Sequence, residues 1–542
     1  MRGLYVINKL ESLRLFIIAI TTSVVLISCG GSNSTATSDT NEPTWVAGQF
    51  LDDSEYKDLC ESPRTGPDSN GDTFDDVLGT SMHEKMWLRS WTNQTYLWYD
   101  EVDDNDPSLF TVDAFFTQLR TEQLTASGSF KDNFHFSQST EEYNLRTQSG
   151  VSSGYGISWE FVATSSPRRL IVRYTEPNSP AALAGVVRGD ELEMIDNIDF
   201  INANTEAEVD DINAALFPSD SGETYNFVFT TLNGESYNVD ITSANVELQP
   251  VQNVKVIDSP MGNIGYLQFN SFISSGQQGL IDGFQEFVDN NVNELVLDMR
   301  YNGGGLLAMA SQLAYMVAGA SQTNNQIFET TQFNDKSGTT NPVTGDTVQA
   351  TPFYTREIDW DTYQFTNETL PSLDLTRIFV LTTGNTCSAS EAVINGLRGV
   401  DVEVVLIGDT TCGKPYGFYP QDNCSTTYFT IQFQGVNAKE FGEYSDGFKP
   451  TATPIFDDEL PGCSVSDDFS KLLGDESESL LAAALNYSET SECPVSTQLV
   501  TSRLRTIEGG GISIKTPNAV LESIVFENKL ITEPIQEPDT GN

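Results

Sequence analysis

A chain of 542 residues is too long for one hydrophobic core and divides into several domains, which an apolar fraction of 38% is sufficient to build. Its 77 acidic residues against 28 basic ones leave a net charge of -49, which sets nucleic acid aside as a partner and describes a strongly hydrated, self-repelling surface. Seven cysteines without C-x-x-C spacing, beside only two histidines, argue against a zinc site, and neither a metal nor a cofactor is expected.

Residues 1–28 read as an export signal: Arg2, Lys9 and Arg14 accompany the apolar run LFIIAITTSVVLI, which is too short to suit a membrane span. The following LISCG resembles a lipobox. That resemblance implies acylation of Cys29 and, with no acidic residue behind it, an outer-membrane-anchored lipoprotein of the cell envelope facing the periplasm or exterior. An ordinary signal peptide with a chance cysteine is the alternative. Residues 29–77 form a polar segment whose first part, to about residue 50, has the composition of a flexible tether. The run PDSNGDTFDD around Asp68 offers oxygen ligands but lacks the glycine spacing and terminal Glu of a calcium loop, so it reads as a polar turn. Cys60, Cys387, Cys412, Cys424, Cys463 and Cys493 are an even set for an oxidising compartment, with their pairing open.

Residues 78–149 show helical periodicity, with Phe115, Phe116 and Leu119 on or near one face; Trp87, Trp91, Trp98 and Tyr99 suit a core, and His135 a structural role. The texture changes over 150–248. Gly154, Tyr155, Gly156 and Ile157 open a strand, PNSPAALAGVVRGDELEMIDN follows, and a helix places Val209, Ile212 and Leu216 on one face. These residues resemble a PDZ domain, which implies that a peptide with a free C-terminus adds as a strand, its carboxylate on the amides near Tyr155 and Gly156.

Over 251–487 strands and helices alternate, predicting an α/β core. ELVLDMR is a continuous apolar strand, broken by Gly303, Gly304 and Gly305 before LLAMASQLAYMVAG, and the polar stretch from Gln322 to Leu370 reads as an insertion with hairpins. RIFVLTTG and EVVLIGD repeat the strand-then-helix rhythm, a helix near ESLLAAALNY closes the domain, and 488–542 form a C-terminal extension.

The chemistry concentrates between Arg377 and Phe418. Ser388 lies between a strand and a helix, where free helix N-terminal amides favour developing negative charge, although Ser388-x-x-Glu391 is equally a capping box. His83 and His135 are far from this unit, so a nearer base is Lys414, which one helix and one strand return to the same sheet edge; burial would lower its pKa and free its lone pair. Cys387 is a competing thiol nucleophile without a histidine placed to activate it.

The PDZ-like segment, LDMRYNGGGLL, the Ser388-Ala389-Ser390-Glu391 run and IGDTTCGK together resemble the C-terminal processing (tail-specific) serine peptidases. The resemblance implies a ClpP/crotonase-like α/β core with an inserted PDZ domain, Ser388 as nucleophile, Lys414 as general base, and the amides of Ala389 and Gly304 as oxyanion donors. It implies hydrolysis of proteins engaged by their C-terminal tails, through an acyl-enzyme. The chain departs from the pattern at Phe418, where family members often carry a lysine-orienting glutamine, which leaves Tyr416 and Gln421 as candidates for that role. A Cys387–Cys412 disulfide is one of the open pairings and would pin the two loops together. A binding lipoprotein that retains the fold without turnover is the second reading, and a crotonase-type acyl-CoA enzyme, which suits neither the PDZ-like segment nor the export signal, the third.

Overall fold

The structure, a computed structural model, describes residues 42–67, 73–141, 143–144, 151–218, 221–494 and 511–515. The export signal, Cys29, the centre of the run around Asp68 and most of the C-terminal extension lie outside the described residues.

The N-terminal region is less helical than its periodicity predicts. Helix α1 (Ser81–Thr95) buries Trp87 and Trp91, which stack at 5.2 Å, and α2 (Val112–Gln118) buries Phe115 and Phe116 against them. Strand β1 (Phe136–Ser139) then pairs with a strand near the end of the core domain, so long-range pairing replaces helix there. The tether reading is corrected from residue 42 onward. Arg89 of α1 donates to the carbonyls of Val46 and Gln49 and to Asp104, which also accepts from the Gly48 amide, and Cys60 is bonded to Cys424.

Residues 151–247 fold around strands Ile157–Ala163, Arg169–Thr175, Glu191–Ile195, Thr224–Thr230 and Ser236–Thr242, with helix Glu206–Leu216 laying Val209, Ile212 and Leu216 into the core. Thr205 and Glu208 cap that helix reciprocally. One described piece of the C-terminal extension, 511–515, returns here: Ile514 is buried in this cluster and its amide donates to Thr164 O.

The core domain is a seven-stranded sheet. Its strands include β2 (Val251–Ser259), β3 (Gly262–Phe269), β4 (Val292–Asp298), β5 (Ile327–Phe333, in a separate small sheet), β6 (Arg377–Thr382) and β7 (Glu403–Gly408). After β8 (Tyr416–Gly417), β9 (Thr426–Phe429) and β10 (Phe433–Val436), the large sheet is completed by β11 (Lys449–Thr451) and β12 (Glu459–Ser464). The order is β2-β3-β4-β6-β7-β12-β11, parallel except at β2.

Such strands are apolar throughout because both faces are covered. Leu295, Leu297, Ile378, Val380, Val404 and Leu406 face helices α3 (Gly276–Asp289), α4 (Leu307–Thr323) and α5 (Ala389–Gly399). Val296, Phe379, Leu381, Val405 and Ile407 face α6 (Ser479–Thr490). Val288 of α3 turns to solvent. Since β4, β6 and β7 are adjacent and parallel, the loops at their C-terminal ends meet at one edge, where ligands of open α/β sheets bind.

Beneath that edge lies a buried ionic network. Arg300 pairs with Asp298, Asp467 and Glu478, and Arg188 of the preceding domain donates to Tyr301 Oη at 2.6 Å and to Asp467 at 2.7 Å. Against the cost of burial, the two arginines hold Asp467 below the usual carboxylate range.

Candidate active site

The loop after β6 carries Ser388 at the start of α5 with φ 55° and ψ -114°, a left-handed φ that a non-glycine residue holds only when its surroundings enforce it. They do. The Cys387 amide donates to Asn302 O at 3.0 Å, Ser390 Oγ donates to the same carbonyl at 2.9 Å, and Thr386 Oγ1 donates to Met299 O at 2.9 Å, all on the loop after β4. On the other side the Cys412 amide donates to Thr386 O at 3.0 Å, and the Cys387–Cys412 disulfide joins the loops after β6 and β7. Thus Cys387 is not a free thiol. Among the described residues the grouping of Cys387, Glu391 and Cys412 has metal-ligand types, but its sulfurs are spent on each other.

Glu391 resolves the ambiguity between cap and catalytic turn by serving both. Fully buried, its carboxylate accepts from the Ser388 amide (3.0 Å), Thr411 Oγ1 (2.5 Å), the Gly413 amide (2.8 Å) and the Lys414 amide (2.8 Å). Burial pushes its pKa up and these four donors pull it back. One carboxylate therefore fixes the backbones of Ser388 and Lys414 together.

Lys414 is 2% exposed, while Ser388 is half-buried, and both line one cavity with Gly305, Tyr416, Phe418, Phe433 and Tyr444. Burial drives the Lys414 pKa well below its ordinary value, opposed by the negative charges of Asp132 and Glu391. Its Nζ lies 4.1 Å from the centroid of Phe418 and 5.1 Å from that of Phe134. The residue standing where an orienting amide was expected thus supplies an aromatic face instead. Gln421 is not among the residues lining this cavity, and its side-chain amide donates to Pro420 O, whereas Tyr416 does line it. Ser388 Oγ and Lys414 Nζ share no hydrogen bond here; such bonds often tighten only with substrate.

The Ala389 amide, first in α5, makes no hydrogen bond among the described residues. The other expected donor is corrected. The Gly304 amide donates to Asn302 Oδ1 at 2.9 Å, and Gly304 serves as a spacer: a Cβ there would lie 2.8 Å from Ser388 Cβ and 2.9 Å from the Ala389 nitrogen. The neighbouring Gly305, not Gly304, faces the cavity, with its amide unengaged among the described residues. Neither histidine lines the site: His135 is buried with Nε2 2.8 Å from Phe116 O, and His83 Nδ1 meets Thr80 Oγ1 at 2.9 Å.

Residues 263–424 match the model of peptidase family S41. This stretch, which holds both Ser388 and Lys414, is what the chain has in similarity to that family. The chain is 22% identical over 326 residues to the chloroplastic carboxyl-terminal-processing peptidase 1 of Arabidopsis thaliana, covering 60% of this chain and 59% of that protein. It is 26% identical over 139 residues to the carboxyl-terminal-processing protease of Picosynechococcus sp. (strain ATCC 27264 / PCC 7002 / PR-6), covering 26% of this chain and 32% of that one. The chain thus spans about three-fifths and about a third of the length of these relatives. The crystal structure of a putative S41 protease from Bacteroides fragilis NCTC 9343 shares the fold, with a TM-score of 0.56 and 23% identity over 78% of this chain and 99% of that one.

Beside the matched stretch, Gly154, Tyr155, Gly156 and Ile157 line a second cavity of about 310 Å³. Trp159 and Leu216 give it apolar walls, and it reaches Gly303 and Asn385 on the two loops that frame Ser388. Glu176 also lines it; burial raises its pKa to about 7, against a hydrogen bond from the Gln249 amide.

Proposed function

We propose that the chain is a serine endopeptidase of the cell envelope, anchored through lipid on Cys29, which cuts protein substrates that it engages by their C-terminal tails. The observation that carries the reading is the pairing, in one cavity, of a buried lysine of lowered pKa with a serine on an enforced turn at a helix N-terminus. In the forward step Lys414 Nζ, neutral, takes the proton of Ser388 Oγ as that oxygen attacks the substrate carbonyl. The Ala389 and Gly305 amides receive the oxyanion. Lys414 then gives the proton to the leaving amine, and a water activated by the same lysine hydrolyses the acyl-serine.

Tail recognition is supported by the cavity at Gly154–Ile157, whose lining continues to the loops around Ser388, so that one extended peptide reaches both. Anchorage rests on the sequence of residues 1–29. The test is incubation of the soluble part with unfolded proteins of different C-termini: hydrolysis by wild type and its loss in Ser388→Ala and Lys414→Ala, each still folded, is expected. Undiminished hydrolysis by either variant rejects the dyad. Tail binding without any hydrolysis would favour the non-catalytic alternative, which Phe418, in place of the expected glutamine, motivates.

A further inference from the structure

Glu329 of β5 lines the same cavity as Ser388 and Lys414 and has no part in the chemistry above. It is 8% exposed, yet among the described residues its carboxylate accepts no hydrogen bond and meets no cation. Other buried carboxylates nearby are satisfied: Glu391 by four donors, Asp132 by Tyr96 Oη and the Phe134 amide, Asp298 by Arg300. An ionised carboxylate buried without a partner costs several kcal/mol, roughly the cost of breaking a buried ion pair. Burial accordingly raises the Glu329 pKa to about 8, keeping it largely protonated at neutral pH until a partner arrives.

The fold makes room for this group. On the neighbouring strand β10, Gly435 leaves space that a Cβ would take, coming within 2.3 Å of Glu329 Oε2. Gly435 in turn donates to Pro415 O, the residue after Lys414, so the carboxylate's position is tied to that of the base.

When Ser388 attacks a peptide carbonyl, the side chain on the adjoining carbon has to enter space contiguous with Ser388. That space is walled by Tyr416, Phe418, Phe433 and Tyr444, and it contains the open carboxylate. The net charge of -49 draws cationic segments toward the molecule. We propose that Glu329 is the specificity-determining residue of this pocket and selects lysine as the residue immediately before the cleaved bond. This rests on the peptidase reading above.

The test uses peptides that share one free-carboxylate C-terminal tail and differ only in having lysine, arginine, norleucine or alanine at one internal position. In wild type, kcat/KM for lysine is expected to exceed that for norleucine by at least about tenfold, and Glu329→Gln to bring that ratio near unity. A flat profile, or a lysine preference that survives in Glu329→Gln, overturns the proposal. The same peptides are titrated against Ser388→Ala protein with and without Glu329→Gln. Lysine-selective binding that disappears with Glu329→Gln supports the proposal without turnover, and equal binding of lysine and norleucine overturns it. Loss of the peptidase reading is seen separately, as absence of Ser388-dependent hydrolysis of every peptide.

Discussion

Replacing Lys414 by methionine keeps an unbranched stem of similar volume among Phe134 and Phe418 while removing the amine, and the consequence follows from proton linkage. Lysine's ordinary value is 10.5, and burial lowers that of Lys414 well below it. Below 10.5 the unfolded chain binds a proton that the folded chain refuses until the pH reaches the lowered folded value. The unfolded state therefore holds more protons across this window, and wild-type stability rises with pH there, by about 1.4 kcal/mol per pH unit for this one group. Lys414→Met lacks the term, so its advantage over wild type grows by about 1.4 kcal/mol for each unit the pH is lowered, until the folded value is reached and the difference levels off. Urea unfolding of both proteins at steps from about pH 9.5 to about pH 6 measures it, with other groups cancelling except Asp132 and Glu391, which feel the amine directly. The pH at which the difference levels off should coincide with the acid limb of wild-type kcat/KM. A stability difference that stays constant over the whole range would mean that Lys414 is charged when folded, and the general-base assignment would fall.

Glu391→Ala leaves the amides of Ser388, Gly413 and Lys414 and the Thr411 hydroxyl without their acceptor, and should cost about 3–5 kcal/mol in urea unfolding as well as most of kcat. Glu391→Gln, which still accepts on one side, should cost less. Gly304→Ala is expected to lower kcat by about 100-fold or more, since the added methyl group pushes directly on Ser388 and the residue's φ is 112°; unchanged kcat would remove Gly304 as the spacer. Replacing Cys387 and Cys412 together by serine should cost roughly 3 kcal/mol through the reopened loop and lower kcat, and mild reduction of wild type should reproduce the kinetic loss. Binding of a free-carboxylate peptide at the second cavity should weaken as pH rises through about 7, because Glu176 then ionises beside the bound carboxylate, with Arg173 the nearby cation; calorimetry should find the pH dependence gone in Glu176→Gln.

What was legible in the sequence is what local pattern encodes. ELVLDMR, RIFVLTTG and EVVLIGD are apolar on both faces because helices cover both, and their order placed Ser388, the glycine turn and Lys414 at one sheet edge. The disulfide between Cys387 and Cys412 was one of several open pairings, and it is formed. The choice between Gly304 and Gly305 was not legible, since it depends on a hydrogen bond from the Gly304 amide to the Asn302 side chain. Glu329 was hidden in a polar stretch, its place set by pairing of β5 with β10, a strand about a hundred residues later. Residues 42–50 have a tether's composition, and Arg89 and Asp104, far along the chain, hold them down. Ile514 meets its partner Thr164 across most of the chain, beyond the reach of periodicity.

The bond between Cys60 and Cys424 joins positions 364 residues apart and closes a covalent ring that contains Ser388, Lys414, Glu329 and the whole of the segment bearing Gly154–Ile157. Wherever other peptidases act, a single nick inside that ring, for instance in the surface stretch between β5 and β6, leaves both pieces attached and the site's loops in place. A nicked molecule would run as one species without reductant and as two with it, still holding its fold between cut and loss.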